Sequence, residues 1–479
     1  MMNRRKRSGR NHIVKSSRGL IAVAALALAA AACSNASSTS TSTTAPTGSV
    51  TTFSGTNFTK NVPVKAPGVS ATESHVGSIV SITNPVGGDY RLMNDGIKAY
   101  FDVVNGRGGV WGRKLDLTSE RDDQTVNNLN QAVALLAQDN VYAAFVGAQL
   151  FSGAPKLAQA GIPTFGWNVN AEWAGPRNFF PNVAPYCFTG CTPLQHLLPW
   201  VISQMHAHKI AFLGYNIPAS SDAVDAAAAA VQQFGDKIGA QVVYKNTSLQ
   251  FGQTDYSAPI AQMKDKGVDF LFTSVDQNAN YSIAKEMKLQ GILGKVTVFY
   301  PDLYNRDFVQ KNADLFEGAI LDVPILAVEH APPPPALQEY LDYAHAHGMK
   351  ITQMTEQGWA AARQFVEALK AAGPNFTWPN LISAWNQQTW FTNDGLVWPI
   401  DWTRQHADPS ASVANRSHFE CGNLVRVHNG EFVGIWDDGG AKPWVCFDGQ
   451  RPNVWQAPVN VSFAGKPFQL ADVQPQPTP

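Results

Sequence analysis

Apolar runs of strand length alternate with helix-like stretches along most of this chain, and this alternation restricts the possible folds more than any other feature. From His75 onward, each apolar run leads through a short loop into a stretch whose apolar residues recur at helical spacing. Such a pattern predicts an α/β fold with parallel sheets covered by helices on both faces. The first predicted set has strands at 76–82, 115–119, 141–146 and 162–165 and helices at 92–104, 127–138 and 155–160.

The same pattern begins again near residue 200. The second predicted set has strands at 210–213, 241–244, 269–274 and 296–299 and helices at 221–234, 257–266 and 279–290. Two successive sets indicate two α/β lobes that face each other across a cleft. In open parallel sheets the ligand lies beyond the carboxyl ends of the strands, so the loops that follow the strands are the candidate functional segments.

The charge of the chain is unevenly distributed. The formal net charge is −1, from 36 Lys plus Arg against 37 Asp plus Glu. Seven of the basic residues lie before position 33, where there is no acid, and the remaining 29 basic residues against 37 acids give the rest of the chain a net charge of −8. This mildly acidic body argues against a nucleic-acid partner, because it has no basic stripe to displace counterions from phosphates.

The basic N-terminal run is followed by an apolar stretch at 20–32, about 13 residues long, which is too short to span a bilayer stably. This combination predicts an export signal at 1–32. Ala30, Ala31 and Ala32 precede Cys33 and resemble the lipobox of bacterial lipoproteins, which implies a lipid anchor on Cys33. The alternative is an ordinary signal peptide with an incidental cysteine. Residues 33–71, rich in Ser and Thr, predict a flexible tether, and residues 456–479 a C-terminal extension and tail.

The four remaining cysteines fit an oxidising compartment. Four cysteines allow three pairings, and the sequence does not choose among them. We expect Cys187 to pair with Cys191 and Cys421 to pair with Cys446. A zinc site is the alternative, but the spacing lacks a CxxC pair, so no metal is expected.

Several stretches carry a family resemblance in their order and spacing. They are NDGIKAYFDVVNGRGGVWGRKLDL followed by RDDQTVNNLNQAVALL, then VYAAFVGAQLFSGAPKLAQAGIPTFG, GQTDYSAPIAQMKDKGVDFLFTS and YPDLYNRDFV. The segment 76–323, which contains these stretches, resembles the branched-chain amino-acid-binding type of periplasmic binding protein, the substrate-binding component of ABC importers. The resemblance implies two doubly wound parallel-sheet lobes joined by three crossovers, with the ligand between them. Lobe one would comprise 72–192 plus 326–392, and lobe two 193–325 plus 393–455.

In lobe one, the loops after two strands supply candidate ligand-binding residues. Ser152 stands at a predicted helix N-cap, with Pro155 in the first turn, a geometry that favours a carboxylate. The resemblance implies the same role, since a serine in the matching loop contacts the α-carboxylate of the ligand; the alternative is that Ser152 only caps its helix. Trp167 departs from the small residues of the family and either contacts a different ligand or packs in the core. The other candidates in these loops are Gln149, Asn168 and Asn170.

In lobe two, Asp276 follows a predicted strand where relatives often place an acid that pairs with the ligand's ammonium group. A cap for the next helix is the alternative for this residue. The position where relatives commonly place a ligand-stacking aromatic is Ala219. The further candidates are Tyr215, Gln277, Tyr300 and Asp302, and for the last two the alternative is a turn.

No catalytic motif points to an enzyme. The chain contains no GxSxG, HExxH, Walker or GxGxxG pattern. We therefore expect a non-enzymatic, lipid-anchored, monomeric receptor without a cofactor. It would capture a small polar molecule, an amino acid or a related amide or carboxylate, and deliver it to an ABC permease. The alternative is a sensory module of the same fold that signals to a membrane partner without transport.

Overall fold

The computed structural model describes residues 58–183, 195–407, 412, 415 and 417–461, together with the backbone of residues 474 and 475. The predicted export signal, the predicted lipidation site Cys33, the first part of the predicted tether and the predicted Cys187–Cys191 pair lie outside these residues. Within the described ranges, no helix combines the length and the apolar character needed to cross a bilayer.

The first sheet has five parallel strands in the order β2-β1-β3-β4-β5. The strand β3 is buried along its whole length, as expected when helices cover both faces of a parallel sheet. The strands are β1 (Glu73–Val80), β2 (Lys114–Asp122), β3 (Ala143–Gly147), β4 (Thr164–Gly166) and β5 (Phe179–Pro181), and the helices α1 (Leu92–Gly106), α2 (Asn128–Gln138) and α3 (Ala154–Ala160). The predicted set of βα units is confirmed here.

The second sheet is built from another five parallel strands in the order β10-β9-β8-β6-β7. Its strands are β6 (Lys209–Tyr215), β7 (Gln241–Leu249), β8 (Phe270–Ser274), β9 (Thr297–Phe299) and β10 (Ile320–Val323). The helices of this part are α4 (Leu197–Gln204), α5 (Pro218–Ile238), α6 (Ser257–Lys266), α7 (Gln277–Leu289), α8 (Arg306–Lys311) and α9 (Ala313–Phe316). The second predicted α/β set is therefore also confirmed.

After β10 the chain contributes to both sheets. The helices α10 (Pro335–His347), α11 (Gln353–Ala372) and α12 (Trp378–Trp385) share the apolar core of the first sheet. The strands β11 (Phe419–His428), β12 (Glu431–Gly434), β13 (Val445–Asp448), β14 (Val459–Asn460) and β15 (Gln474–Pro475) extend the second sheet in antiparallel fashion from β10. The predicted crossovers near 192, 325 and 392 stay predictions. Trp398 and Trp402, beyond the third, pack in the core of the first sheet.

The helices α1 and α11 pack with their backbones in close contact. A Cβ atom added to Gly96 would lie 2.1 Å from the carbonyl oxygen of Thr355, and one added to Gly358 would lie 1.9 Å from that of Met93. No side chain larger than hydrogen fits at either position without moving the helices apart. The close approach holds α11, whose first turn reaches the cleft, against the first sheet.

Cys421 and Cys446 lie opposite each other on β11 and β13. Their Sγ atoms are 2.14 Å apart, at disulfide-bonding distance and in the predicted pairing. The nearby Asn429 and Gly430 both have positive φ and form the tight turn between β11 and β12, a conformation that the Asn-Gly pair favours.

Candidate functional site

A cavity of about 230 Å³ lies where the carboxyl ends of the two parallel sheets face each other. One wall comes from the loops of the first sheet and the start of α11; the other comes from the loops of the second sheet. The first wall comprises Tyr90, Gln149, Trp167, Asn168, Val169, Val183, Gln353 and Gln357. The second includes Tyr215, Ile217, Ala219, Ser220, Phe251, Asp276, Pro301, Asp302, Asp322 and Pro324. The volume suits a small solute rather than a drug-sized ligand, whose pockets span roughly 300 to 1,000 Å³.

The first wall is an aromatic pair held in place by an amide. The rings of Tyr90 and Trp167 are 5.4 Å apart at 33°. Gln149 donates from Nε2 to the Tyr90 hydroxyl at 3.0 Å, and its Oε1 accepts from the Thr125 hydroxyl at 3.0 Å. Both ends of the Gln149 amide are thus engaged by the protein, and the Tyr90 hydroxyl keeps its own proton to donate. Burial raises the pKa of Tyr90 well above its ordinary value, and the charges of Asp302 and Asp276 add to that effect.

The second wall centres on Asp276, at the N-terminus of α7. Its Oδ1 accepts from the backbone N–H groups of Asn278 at 2.9 Å and Ala279 at 3.1 Å, so it forms the helix cap that was the alternative role for this residue. Its Oδ2 accepts from the Tyr215 hydroxyl. Burial raises the pKa of Asp276, while the hydrogen bonds from Tyr215 and from the backbone act in the opposite direction. Asp276 therefore caps a helix and also presents charge to the cavity.

Asp302, which follows β9, lines the cavity without a hydrogen-bond donor from the described residues reaching its carboxyl group. Only its backbone carbonyl is engaged, by Asn280 Nδ2 at 3.3 Å. Burial, together with the nearby charge of Asp276, raises the pKa of the Asp302 carboxyl to about 7. An acid with no protein partner in a cleft is available to a ligand.

The structure brings together six of the ten residues predicted from the sequence. Gln149, Trp167, Asn168, Tyr215, Asp276 and Asp302 all line the cavity. Asn168 also donates to the Val183 carbonyl at 3.5 Å. Their contacts with a ligand stay predictions.

The other four predicted residues do not line this cavity. The N-cap prediction for Ser152 was wrong: α3 begins after Gly153, which has no capping side chain, and Ser152 is exposed. Asn170 is buried and donates to the Ala148 carbonyl at 2.9 Å. The Tyr300 ring is fully buried against Phe316, because the pleat of the strand directs it away from the cleft. Gln277 borders a smaller adjoining opening, where Asn305 donates to its Oε1 at 3.3 Å.

Sequence reasoning missed several residues of the lining. Tyr90 lies in the loop after β1, so a search of every loop that follows a strand could have found it. Phe251, after β7, packs edge-on against Tyr215 at 5.3 Å and supplies an aromatic group to a lining that also contains Ala219. Gln353 and Gln357 lie on α11, which is far from the other lining residues in the sequence. Nothing in the sequence around them indicates that they reach the cleft.

The lining shows no metal-binding constellation. Nowhere in the described part of the chain do three or more His, Cys, Asp or Glu residues gather closely enough to hold a metal ion. The cavity offers hydrogen bonds, aromatic faces and carboxylates, which are groups suited to holding a solute.

A family model described as periplasmic binding protein matches residues 73–417 of this chain. Among curated proteins, none matches. Solved structures match with high structural similarity and low sequence identity. A fatty acid ABC transporter substrate-binding protein from Thermomonospora curvata is 17% identical, with a TM-score of 0.63, over 82% of this chain and 97% of its own.

Two further structures illustrate the range of these relatives. A branched-chain amino acid ABC transporter protein from Thermus thermophilus, with bound valine, is 17% identical, with a TM-score of 0.61, over 76% of this chain and 96% of its own. A solute-binding protein of an ABC transporter from R. palustris, in complex with 4-hydroxybenzoate, is 18% identical, with a TM-score of 0.59, over 76% of this chain and 95% of its own. At these identities the likeness establishes the fold.

Proposed function

Because the chain belongs to the periplasmic binding protein family, we propose that it captures a small polar solute between its two lobes and delivers it to an ABC importer. Members of this family bind substrates and are not enzymes. The observation that carries the proposal is the cavity between the carboxyl ends of the two sheets, to which both walls contribute aromatic and polar side chains. A solute there touches both lobes at once and so favours the closed arrangement.

A polar contact across the cleft supports such closure. Asn278, on α7, donates from Nδ2 to the Val86 carbonyl in the loop after β1. That loop is shaped by Asn84, which donates to the Gly88 carbonyl at 2.8 Å and accepts from the Gly88 N–H at 3.1 Å. The loop and the cap of α7 thus meet at the edge of the cavity, where closing lobes would bring them together.

The proposed solute is an amino acid or a related amide or carboxylate. Asp276 and Asp302 can pair with an ammonium group, and Asn168 offers an amide. Structures similar to this chain contain bound valine, isoleucine and 4-hydroxybenzoate, all small solutes.

The setting we propose is the outer face of the cytoplasmic membrane. An export signal at 1–32, a lipid on Cys33 and a Ser/Thr-rich tether would hold a monomeric receptor near its permease. Disulfides between Cys187 and Cys191 and between Cys421 and Cys446 fit this oxidising location.

A thermal-shift screen of the full chain tests the proposed capture of a solute. The panel contains amino acids, amides, amines, urea and aromatic acids. A ligand at a hundredfold excess over its Kd stabilises the folded state by about 2.7 kcal/mol, so the midpoint should rise by several degrees. Deleting the protein should then abolish uptake of that compound; unaffected uptake would favour the sensory alternative. Steady turnover of an ester or amide with no shift from any compound would contradict the proposal.

A further inference from the structure

The charged groups that line the cavity all have the same sign. Asp276, Asp302 and Asp322 contribute carboxyl groups, and no Lys, Arg or His is among the described lining residues. The neighbouring segment 184–194, which follows the lining residue Val183, contains no basic residue in its sequence either. The described cavity wall therefore provides no opposite charge for these acids.

Two of the acids retain unused hydrogen-bonding capacity. No donor from the described chain reaches the Asp302 carboxyl, and Oδ1 of Asp322 is buried without a partner among the described residues. Burial and, to a smaller extent, the charge of Glu420 raise the pKa of Asp322 to about 7, although the Asn423 backbone N–H acts in the opposite direction. Carboxyl groups in this state gain most from a bound donor that carries positive charge.

The remaining walls are aromatic. Tyr90 and Trp167 form a tilted pair, and Tyr215 packs edge-on against Phe251. Electron-rich ring faces attract cations and also bury an apolar body. The ring faces themselves do not attract an anion.

The element predicted to receive a carboxylate does not contribute to the cavity. Ser152 is exposed, and neither it nor Gly153 at the start of α3 belongs to the lining. A ligand carboxylate in this cavity would face three acids, and the described lining has no basic side chain to pair with it. Like charges repel each other at short range, so this arrangement disfavours an anionic group.

We infer that the cavity selects an organic amine, a protonated amino group on an apolar body of about aromatic size, and that a carboxyl group on the ligand weakens binding. This inference rests on the proposed function and narrows its solute class, from amino acids and related compounds to amines and to amino-acid derivatives whose carboxyl group is absent or masked as an amide. The ammonium group would lie between Asp276 and Asp302, with the apolar body against Tyr90 and Trp167.

Calorimetric titration of the full chain with two matched series tests the inference. One series is 2-phenylethylamine, phenylalanine amide, phenylalanine and 3-phenylpropionate; the other is isoamylamine, leucine amide, leucine and 4-methylpentanoate. We expect the amine and the amide of at least one series to bind about tenfold or more tighter than the amino acid, with the simple carboxylate weakest. A carboxylate or amino acid that binds as tightly as its amine would overturn the inference and leave solute capture intact.

A pair of variants links the preference to the cavity. Asp302→Asn keeps the size of the side chain and removes its charge, and should weaken amine binding about tenfold or more without weakening carboxylate binding. Asp265→Asn, an exposed position on α6, is the matched control and should bind like the unaltered chain. Unchanged amine affinity in Asp302→Asn would overturn the inference.

Failure to bind any amine of either series would also overturn it. The broader thermal-shift panel then decides the proposed function separately. A thermal shift with another compound would still support solute capture. Steady turnover of an ester or amide without any shift would contradict it.

Discussion

At the scale of one residue, the buried carboxyl group of Asp302 is available to a ligand, but its ionised form lowers the stability of the folded protein. Its carboxyl group lines the cavity with Tyr90 and Asp276 as the interacting titratable groups, and its pKa is raised to about 7 by burial and by the charge of Asp276. An unfolded aspartate titrates near pH 3.9. The folded protein therefore holds this proton more tightly than the unfolded chain does.

The consequence is a testable dependence of stability on pH. The stabilisation from this proton is fully present below about pH 4 and is lost as the pH rises through about 7. Asp302→Asn has no such proton to lose, so its thermal midpoint at pH 8 should exceed that of the unaltered chain by about 2 °C or more, and the difference should vanish near pH 4. Asp276 and Asp322 are present in both proteins, so the difference reports the Asp302 side chain together with its interaction with Asp276. The same pH dependence in both proteins would show that Asp302 does not titrate as described.

Single residues also show how much of the site could be predicted from the sequence. Trp167, Tyr215 and Asp276 were predicted because they directly follow or end strands, and a strand end fixes position at the sheet edge. Tyr300 follows a strand too, yet its ring is buried in the core, since the pleat decides which face a side chain takes. The prediction for Ser152 failed because the N-cap of the helix is the next residue, Gly153.

At the scale of elements, the contact between α1 and α11 requires glycine at the two positions where the helix backbones meet. Gly96 lies where a methyl group would meet the Thr355 carbonyl oxygen and, at 2.9 Å, the Trp359 nitrogen. We expect Gly96→Ala to lower the free energy of unfolding by about 1–3 kcal/mol, as overpacking does, in urea denaturation. Gly106→Ala on the same helix has no atom within 4 Å and is the control, expected to be neutral or slightly stabilising. Equal stability of the two variants would contradict the described helix contact.

Apolar periodicity predicted the helices and strands, but it did not predict which of them pack against each other. Apolar spacing at 127–138 predicts a helix whatever it packs against. The placement of α11 against α1 depends on two glycines more than 250 residues apart, and nothing near either one in the sequence signals the other. For the same reason Gln353 and Gln357 escaped the sequence-based list of cavity residues.

At the scale of the whole molecule, the repeated βα pattern and the order of the quoted segments were enough to predict the family and its fold. The ligand class was not predictable, because it depends on which side chains of two distant sheets share one cavity. Asp322 joins Asp276 and Asp302 only through the strand order of the second sheet. The acidic balance of the chain, −8 beyond the first 32 residues, gave no indication that the cavity itself is acidic.

Hydrogen exchange with and without the compound that gives the largest thermal shift tests the central claim most directly, because it reports which backbone segments a ligand protects. A solute held between the lobes should slow exchange in both walls: in the first sheet around residues 84–91 and 166–170, and in the second around 215–220, 274–279 and 300–305. Protection confined to one lobe, or lying away from these loops, would contradict capture between the two sheets.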